Sequence, residues 1–338
     1  MRPPRRCAPL ARLTEVPTFV RTQTISHPVG ERGRVAIKVT SGDVRVTASA
    51  GGDAVIRASY EIRAASEEDA ERTYEQIRLK ARQGSGDLTV EEPDSANSFG
   101  SMISRLFSSG GYELNLEASL PAGVQLSVAG VSAEVRVSGM RGDQRYATVS
   151  GDLSLTDGGG RVNVNAVSAD TTVRAVEPVT IEAQGVSGDL AISAPRLDSL
   201  HATTVSGDVE LEGELAARGE FGVETVSGDL SVGLLGSATF DVRGISSDVH
   251  SDLDHRLEGT SDRRRLIIGS GGPVLVFRSM SGDVAVRRAR RVSPLPPVFE
   301  PAAATAAPDA AGQLEILRAL ERGEISVDEA TRRLAGGS

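Results

Sequence analysis

A polar tetrapeptide recurs along this chain at nearly constant spacing, and that recurrence restricts the fold more than any other feature. "VSGDL" stands at residues 149–153, 186–190 and 226–230, and "VSGDV" at 205–209. The acid of each copy gives the series Glu134, Asp152, Asp170, Asp189, Asp208, Asp229 and Asp248, with steps of 18, 18, 19, 19, 21 and 19 residues. Three further copies lie outside it: Asp43 in "TSGDVRV", Asp87 in "GSGDLTV", and Asp283 in "MSGDVAV", 35 residues beyond Asp248. A period near 19 fits a coil of two short strands and two turns, with each unit stacking on its neighbours.

Alternation within the repeat supports strands. In "VSGDVEL", Val205, Gly207, Val209 and Leu211 fall on one face, and Ser206, Asp208 and Glu210 on the other. Read this way, each coil has an inward Val and an outward Asp. A small residue takes the third position of every copy: Ala133, Gly151, Ala169, Gly188, Gly207, Gly228 and Ser247. A small residue at a fixed place implies a thin core or a close backbone approach. A second strand precedes each copy, as in "RVNVNAV", "TIEAQGV", "FGVETV" and "TFDVRGI". Its parity breaks just before Val167, Val186, Val226 and Ile245, which predicts a bulge or corner there. Two architectures fit: a parallel β-solenoid, or an antiparallel sandwich with Gly-Asp as a hairpin turn. The solenoid is preferred, because the alternation runs through Gly-Asp without interruption. The expected fold class is mainly β: a parallel β-solenoid (β-helix) of about 19-residue coils, with a helical insertion near the N-terminus and a short C-terminal helical hairpin.

The VSGD repeats, over about residues 30–290, resemble the bacterial DUF4097 family, often labelled as adhesins. The resemblance implies a β-solenoid of the kind found in cell-envelope and envelope-stress proteins. It assigns no catalytic residue.

If the coils stack, Asp152, Asp170, Asp189, Asp208 and Asp229 form an outward column, with Asp283 as an outlying member. Carboxylates about 5 Å apart repel by roughly 1 kcal/mol even in water, so something must offset that cost. The preferred reading is a structural corner acid that accepts backbone N–H or Ser hydroxyl bonds. A calcium ladder and an anionic face for a basic partner are the alternatives. The run "SSDVHSDLDHR" contributes Asp248, His250, Asp252, Asp254 and His255 as candidate ligands for zinc or a similar metal; a solvated charged face is the preferred account. No cofactor is expected.

An enzyme is not expected. Glycoside hydrolysis needs one carboxylate pair at a defined spacing, whereas here acids recur throughout. Sugar platforms need aromatic rings, and Trp, Tyr and Phe make up 3% of the chain. No nucleophile-elbow, zincin, phosphate-loop or paired C-x-x-C pattern appears. The 46 acidic against 37 basic residues give a net charge of −9, which argues against nucleic-acid binding.

Cys7 is the one cysteine, so no disulfide forms within the chain. Residues 1–29 read as a disordered leader or leading strand without the apolar stretch of a secretory signal. No run of about 18 apolar residues predicts a transmembrane helix, so a cytoplasmic location is expected, with peripheral envelope association as the alternative. Residues 66–82 read as a helix, with Ser66 as N-cap, Ala70, Tyr74 and Ile77 on its packed face, and Lys80 and Arg82 near its end. It serves as a cap or packing element of the solenoid at 30–291. Residues 93–111 read as a mobile loop whose Met102, Ile103, Leu106 and Phe107 suit a lipid surface or partner. A Pro/Ala-rich linker spans 292–311. Residues 312–338 read as two short helices, with Leu314, Leu317, Leu320 and Leu334 on the face for self-association or a protein partner. This segment resembles the SHOCT-like hairpins of YvlB/LiaX-type envelope-stress proteins, where it accompanies the same type of solenoid. Together these features predict an adhesin-like, non-enzymatic binding scaffold linked to the envelope. A cytoplasmic structural oligomer and a carbohydrate-active enzyme are the alternatives.

Overall fold

The computed structural model describes residues 16–93, 111–260 and 263–289. Cys7, the apolar residues at 102–107, the linker and the hairpin with Leu314, Leu317, Leu320 and Leu334 lie outside the described residues. The fold is a parallel β-solenoid. Each coil gives one strand to each of two ladders, and the aliphatic core lies between them. The first ladder runs in space through Asp87–Glu91, Arg34–Lys38, Gln125–Ala129 and Gln144–Ser150. It continues through the later halves of Leu153–Ser168, Thr171–Gln184 and Leu190–Thr203, then Phe221–Glu224, Val274–Ser281 and Ala238–Ser246. The second runs through Tyr112–Pro121, Ser41–Ser49 and Ser132–Ser138, then the earlier halves of the same three long strands. It ends with Val209–Leu215, Leu230–Leu234, Val284–Arg288 and Val249–Ser251.

Alternation does what the pattern requires within each strand. Val209 and Leu211, Leu230 and Val232, and Val284 and Val286 are buried on the second ladder. Ile181, Leu200, Val223 and Phe277 face them from the first. Phe240, Phe277 and Tyr60 are the largest fully buried side chains, so a core poor in aromatics is filled mainly by Val, Leu and Ile. The long strands cross from the second ladder to the first through register shifts at residues 156–160, 174–180 and 193–196. These are the Gly- and Pro-bearing loops between repeats.

Spatial order departs from chain order at both ends. Ser41–Ser49 stacks between Tyr112–Pro121 and Ser132–Ser138, and Val284–Arg288 between Leu230–Leu234 and Val249–Ser251. Asp283, rather than Asp248, therefore follows Asp229 in space. The far side of Ala238–Ser246 is taken by the antiparallel strand Arg263–Ile268, itself paired with His255–Gly259. The near side stays open for Val274–Ser281 to insert. Antiparallel strands also close the other end, where Thr18–Pro28 pairs with Asp53–Arg63, and Asp53–Arg63 with Tyr112–Pro121. Period counting did not anticipate them.

The outlying copy at Asp87 is not a corner of the solenoid. "GSGD" here is the turn between the antiparallel strands Lys80–Gln83 and Asp87–Glu91, closed by Gly84 N–H donating to Asp87 O at 2.8 Å. The helix spans Glu67–Ile77 rather than 66–82. Ser66 caps it, its hydroxyl accepting from Asp69 N–H at 3.1 Å. Ala70 is buried, and the Tyr74 ring meets Tyr60 edge-on at 5.3 Å. The helix stops because Leu79 N–H donates to the Tyr60 hydroxyl at 2.9 Å and to Gln23 Oε1 at 3.1 Å, which turns the chain into strand Lys80–Gln83. Lys80 and Arg82 thus lie on that strand, where Arg82 pairs with Glu91. Burial pushes the Tyr60 phenol above its ordinary pKa, so it stays a neutral donor, to Gln23 Oε1 at 3.0 Å. No helix among the described residues is long and apolar enough to cross a membrane.

Candidate functional site

The repeated tetrapeptide forms the corner between the two ladders, and at the corner of Asp189 three hydrogen bonds pin it to its neighbours. Ser187 N–H donates to Val167 O at 2.8 Å in the preceding coil, and Leu190 N–H to Asp208 O at 2.9 Å in the following one. Between them the chain bends, and a carboxylate supplies the acceptor. Asp189 N–H donates to Asp170 Oδ1 at 2.9 Å, Asp208 N–H to Asp189 Oδ1 at 2.9 Å, and Asp229 N–H to Asp208 Oδ1 at 2.8 Å. The row continues in spatial order, Asp283 N–H to Asp229 Oδ1 at 2.8 Å and Asp248 N–H to Asp283 Oδ1 at 2.7 Å. Each acid in this row therefore holds the backbone of the next. A hydrogen bond to a charged group contributes about 1.5–3 kcal/mol net, more than the roughly 1 kcal/mol repulsion between neighbouring acids in water. Asp152, Glu134 and Asp43 extend the same row in register.

At two of the corners glycine lets neighbouring coils approach closely. Gly207 has φ +138°, and a Cβ there would lie 2.2 Å from Gly188 O. Gly188 has φ +114°, and its Cβ would lie 2.3 Å from Ala169 O. Each glycine thus rests on the carbonyl of the residue below it, the close approach that the run of small residues implied. The Ser hydroxyls join in where they stack, as Ser168 Oγ and Ser187 Oγ do at 3.1 Å.

Val131, the first residue of its copy, is buried where alternation placed it, but from Val167 onward the first residue of the motif turns outward. Val167, Val186, Val205, Val226, Met280 and Ile245 are 41, 49, 48, 44, 57 and 80% exposed. Counting back from Leu230 through Gly228 puts Val226 inside. Counting forward from Phe221 through Val223 and Thr225 puts it outside. The two parities conflict, and the structure follows the second, with the break falling within Ser-Gly, where the chain bends. Six aliphatic side chains thereby line the outer corner of consecutive coils. At about 4.8 Å per coil the ridge is roughly 24 Å long. It runs beside the Ser stack and the acid row. Exposed apolar surface of this continuity marks an interaction site more often than scattered apolar residues do. The disagreement between the two parities was the signal available in the sequence.

The metal candidates are not brought together. Asp248 bonds Arg264 at 3.1 Å, His250 Nε2 lies 3.5 Å from Asp252 Oδ1, and His255 Nδ1 lies 2.8 Å from Leu253 O. Among the described residues, no three His, Cys, Asp or Glu side chains form a group able to hold a metal ion. The strongest ionic feature is structural. Asp241 is buried, bonded to Arg243 at 2.8 Å and to Arg263 at 3.0 Å, and these guanidinium groups hold its pKa down to about 2.

Solved structures resemble the chain remotely. A candidate adhesin from Bacteroides fragilis is 13% identical, over 79% of this chain and 97% of that one, with a TM-score of 0.32. A candidate cell adhesion protein from Clostridium sporogenes is 9% identical, over 80% and 100%, with a TM-score of 0.26. A candidate lipid-binding protein from Parabacteroides distasonis is 8% identical, over 80% and 97%, with a TM-score of 0.24. At such identities and scores none of the three bears on function, and no curated protein matches the chain. The family model is another matter: the one described as Toastrack DUF4097 matches residues 24–287, well over half the sequence, and the chain belongs to that family.

Proposed function

We propose that this protein is a non-enzymatic, adhesin-like binding scaffold that works at the bacterial cell envelope, with the aliphatic ridge as its contact surface. The observation that carries the reading is the run Val167, Val186, Val205, Val226, Met280 and Ile245, exposed side by side. The acid row along one flank adds charge, so the matching partner presents an apolar edge bordered by basic groups. The segment 312–338 serves as a second contact, for self-association or docking.

The test compares wild type with a Val186→Glu/Val205→Glu variant. Both positions are solvent-facing, so the variant is expected to keep the wild-type far-UV spectrum. Binding to washed envelope fractions of the native host is expected to fall at least tenfold in the variant and to weaken with added salt. Equal binding by a folded variant rules out the ridge. Separately, deletion of 312–338 is expected to shift sedimentation towards the monomer, and an unchanged profile removes the hairpin's role in self-association.

A further inference from the structure

We propose a second binding site, distinct from the ridge, for an acidic glycan: a hydroxyl-rich polymer carrying carboxylates. It lies on the outer face of the first ladder, near the end closed by the helix. A groove of about 600 Å³ runs there across five neighbouring strands. Two rows of outward side chains line it. One is Asp87, Arg34, Gln125, Asp143 and Arg161; the other is Thr89, Ala36, Ser127, Arg145 and Asn163. Strand register sets these neighbours about 4.8 Å apart along each row, with the rows about 7 Å apart. Ala36, Ser127 and Thr89 are short and form the floor. Arg34, Arg145 and Arg161 are long and exposed, and they stand around it.

What marks this groove is three exposed arginines gathered around one trough. Several arginines elsewhere on the solenoid are matched with acids, as Arg141 is with Glu177, Arg196 with Asp198, Arg278 with Glu224 and Arg287 with Glu210. In the groove, Arg34 bonds neutral Gln125 at 3.1 Å, and neither Arg145 nor Arg161 has an ion-pair partner among the described residues. A guanidinium presents a planar fork of donors that matches a carboxylate in two parallel bonds.

The remaining lining defines the rest of the ligand. Gln125, Asn163, Ser127 and Thr89 offer amide and hydroxyl groups, and Asp87 and Asp143 accept from hydroxyls. Among the described residues no aromatic side chain lines the groove, so a bound sugar is held through its hydroxyls and carboxylates rather than on a stacking platform, and nucleic acid, whose bases need one, is disfavoured. An extended polymer suits a trough crossing equally spaced strands, with anions at the arginines and hydroxyls over the polar floor.

The experiment is isothermal titration of the full chain at low salt with three probes: oligogalacturonate, neutral dextran of similar length, and polyphosphate. Oligogalacturonate is expected to bind, dextran not to bind, and polyphosphate to bind at least tenfold more weakly. Arg145→Gln/Arg161→Gln is expected to weaken oligogalacturonate binding at least tenfold while leaving the far-UV spectrum unchanged. Arg145→Lys/Arg161→Lys keeps the charge without the fork and is expected to fall between. The ridge variant Val186→Glu/Val205→Glu is expected to bind oligogalacturonate as wild type does, so failure of one site is distinguishable from failure of the other. Absence of oligogalacturonate binding, or binding unaffected by loss of both arginines, overturns the proposal. Polyphosphate binding as tight as oligogalacturonate, lost in the same variant, overturns the glycan assignment and leaves a site for anions in general.

Discussion

Gly207→Ala puts the corner geometry to its sharpest test. The backbone at Gly207 sits at φ +138°, and the added Cβ would lie 2.2 Å from Gly188 O. Holding a non-glycine residue in such a conformation costs about 1–3 kcal/mol. Relieving the contact requires the two coils to separate locally, and overpacking of this kind costs about 1–3 kcal/mol more. The expected loss is therefore about 4 kcal/mol, a large part of the roughly 5–15 kcal/mol that holds a typical domain together. Ala169 supplies the control. It occupies the same place in its coil, is buried, and is not among the residues with positive φ. Ala169→Gly should then cost only about 1 kcal/mol, mostly through the freer unfolded chain. Guanidinium unfolding followed by far-UV circular dichroism, with slopes compared between variants, measures both. A loss below about 1 kcal/mol for Gly207→Ala, or equal losses for the two variants, would refute the argument that stacked carbonyls forbid a side chain at this corner.

Two further predictions concern the acids. Asp208→Ala removes the acceptor of Asp229 N–H and should cost about 1 kcal/mol, whereas Asp208→Asn keeps an acceptor oxygen and should cost less; a wild-type melting temperature raised by calcium, with no rise in Asp208→Asn, would instead make the row a cation ladder. Asp241, lowered to about 2 by Arg243 and Arg263, contributes stability that is complete above its unfolded value near 3.8 and lost as pH falls through 2. The gap in melting temperature between wild type and Asp241→Asn should accordingly narrow between pH 5 and pH 2, and a constant gap would remove the ion pairs as its cause.

Much of this architecture is local and therefore legible in the chain. The period near 19, the alternation of Val209 with Glu210, and the small residue before each Asp follow from strand geometry and from stacking like on like. They lead to a parallel solenoid, a tight corner and an outward acid without further information. The tertiary structure decided what alternation could not. Whether Val226 points in or out depends on where within Val-Ser-Gly the chain bends, and the carbonyl of the neighbouring coil sets that. Which coil follows Asp229 depends on an antiparallel strand, Arg263–Ile268, occupying the far side of Ala238–Ser246 and leaving its near side to residues 274–281. "GSGD" at Asp87 became a hairpin turn because its neighbours pair antiparallel, although its letters match the corner motif. The arginine groove is assembled from residues as far apart as Arg34 and Arg161, and Arg82 was drawn from the expected helix to a strand beside Glu91. Repetition in a sequence determines what stacks on its like; the order of the stack, and the side chains left to meet solvent together, are set by contacts between segments distant in the chain.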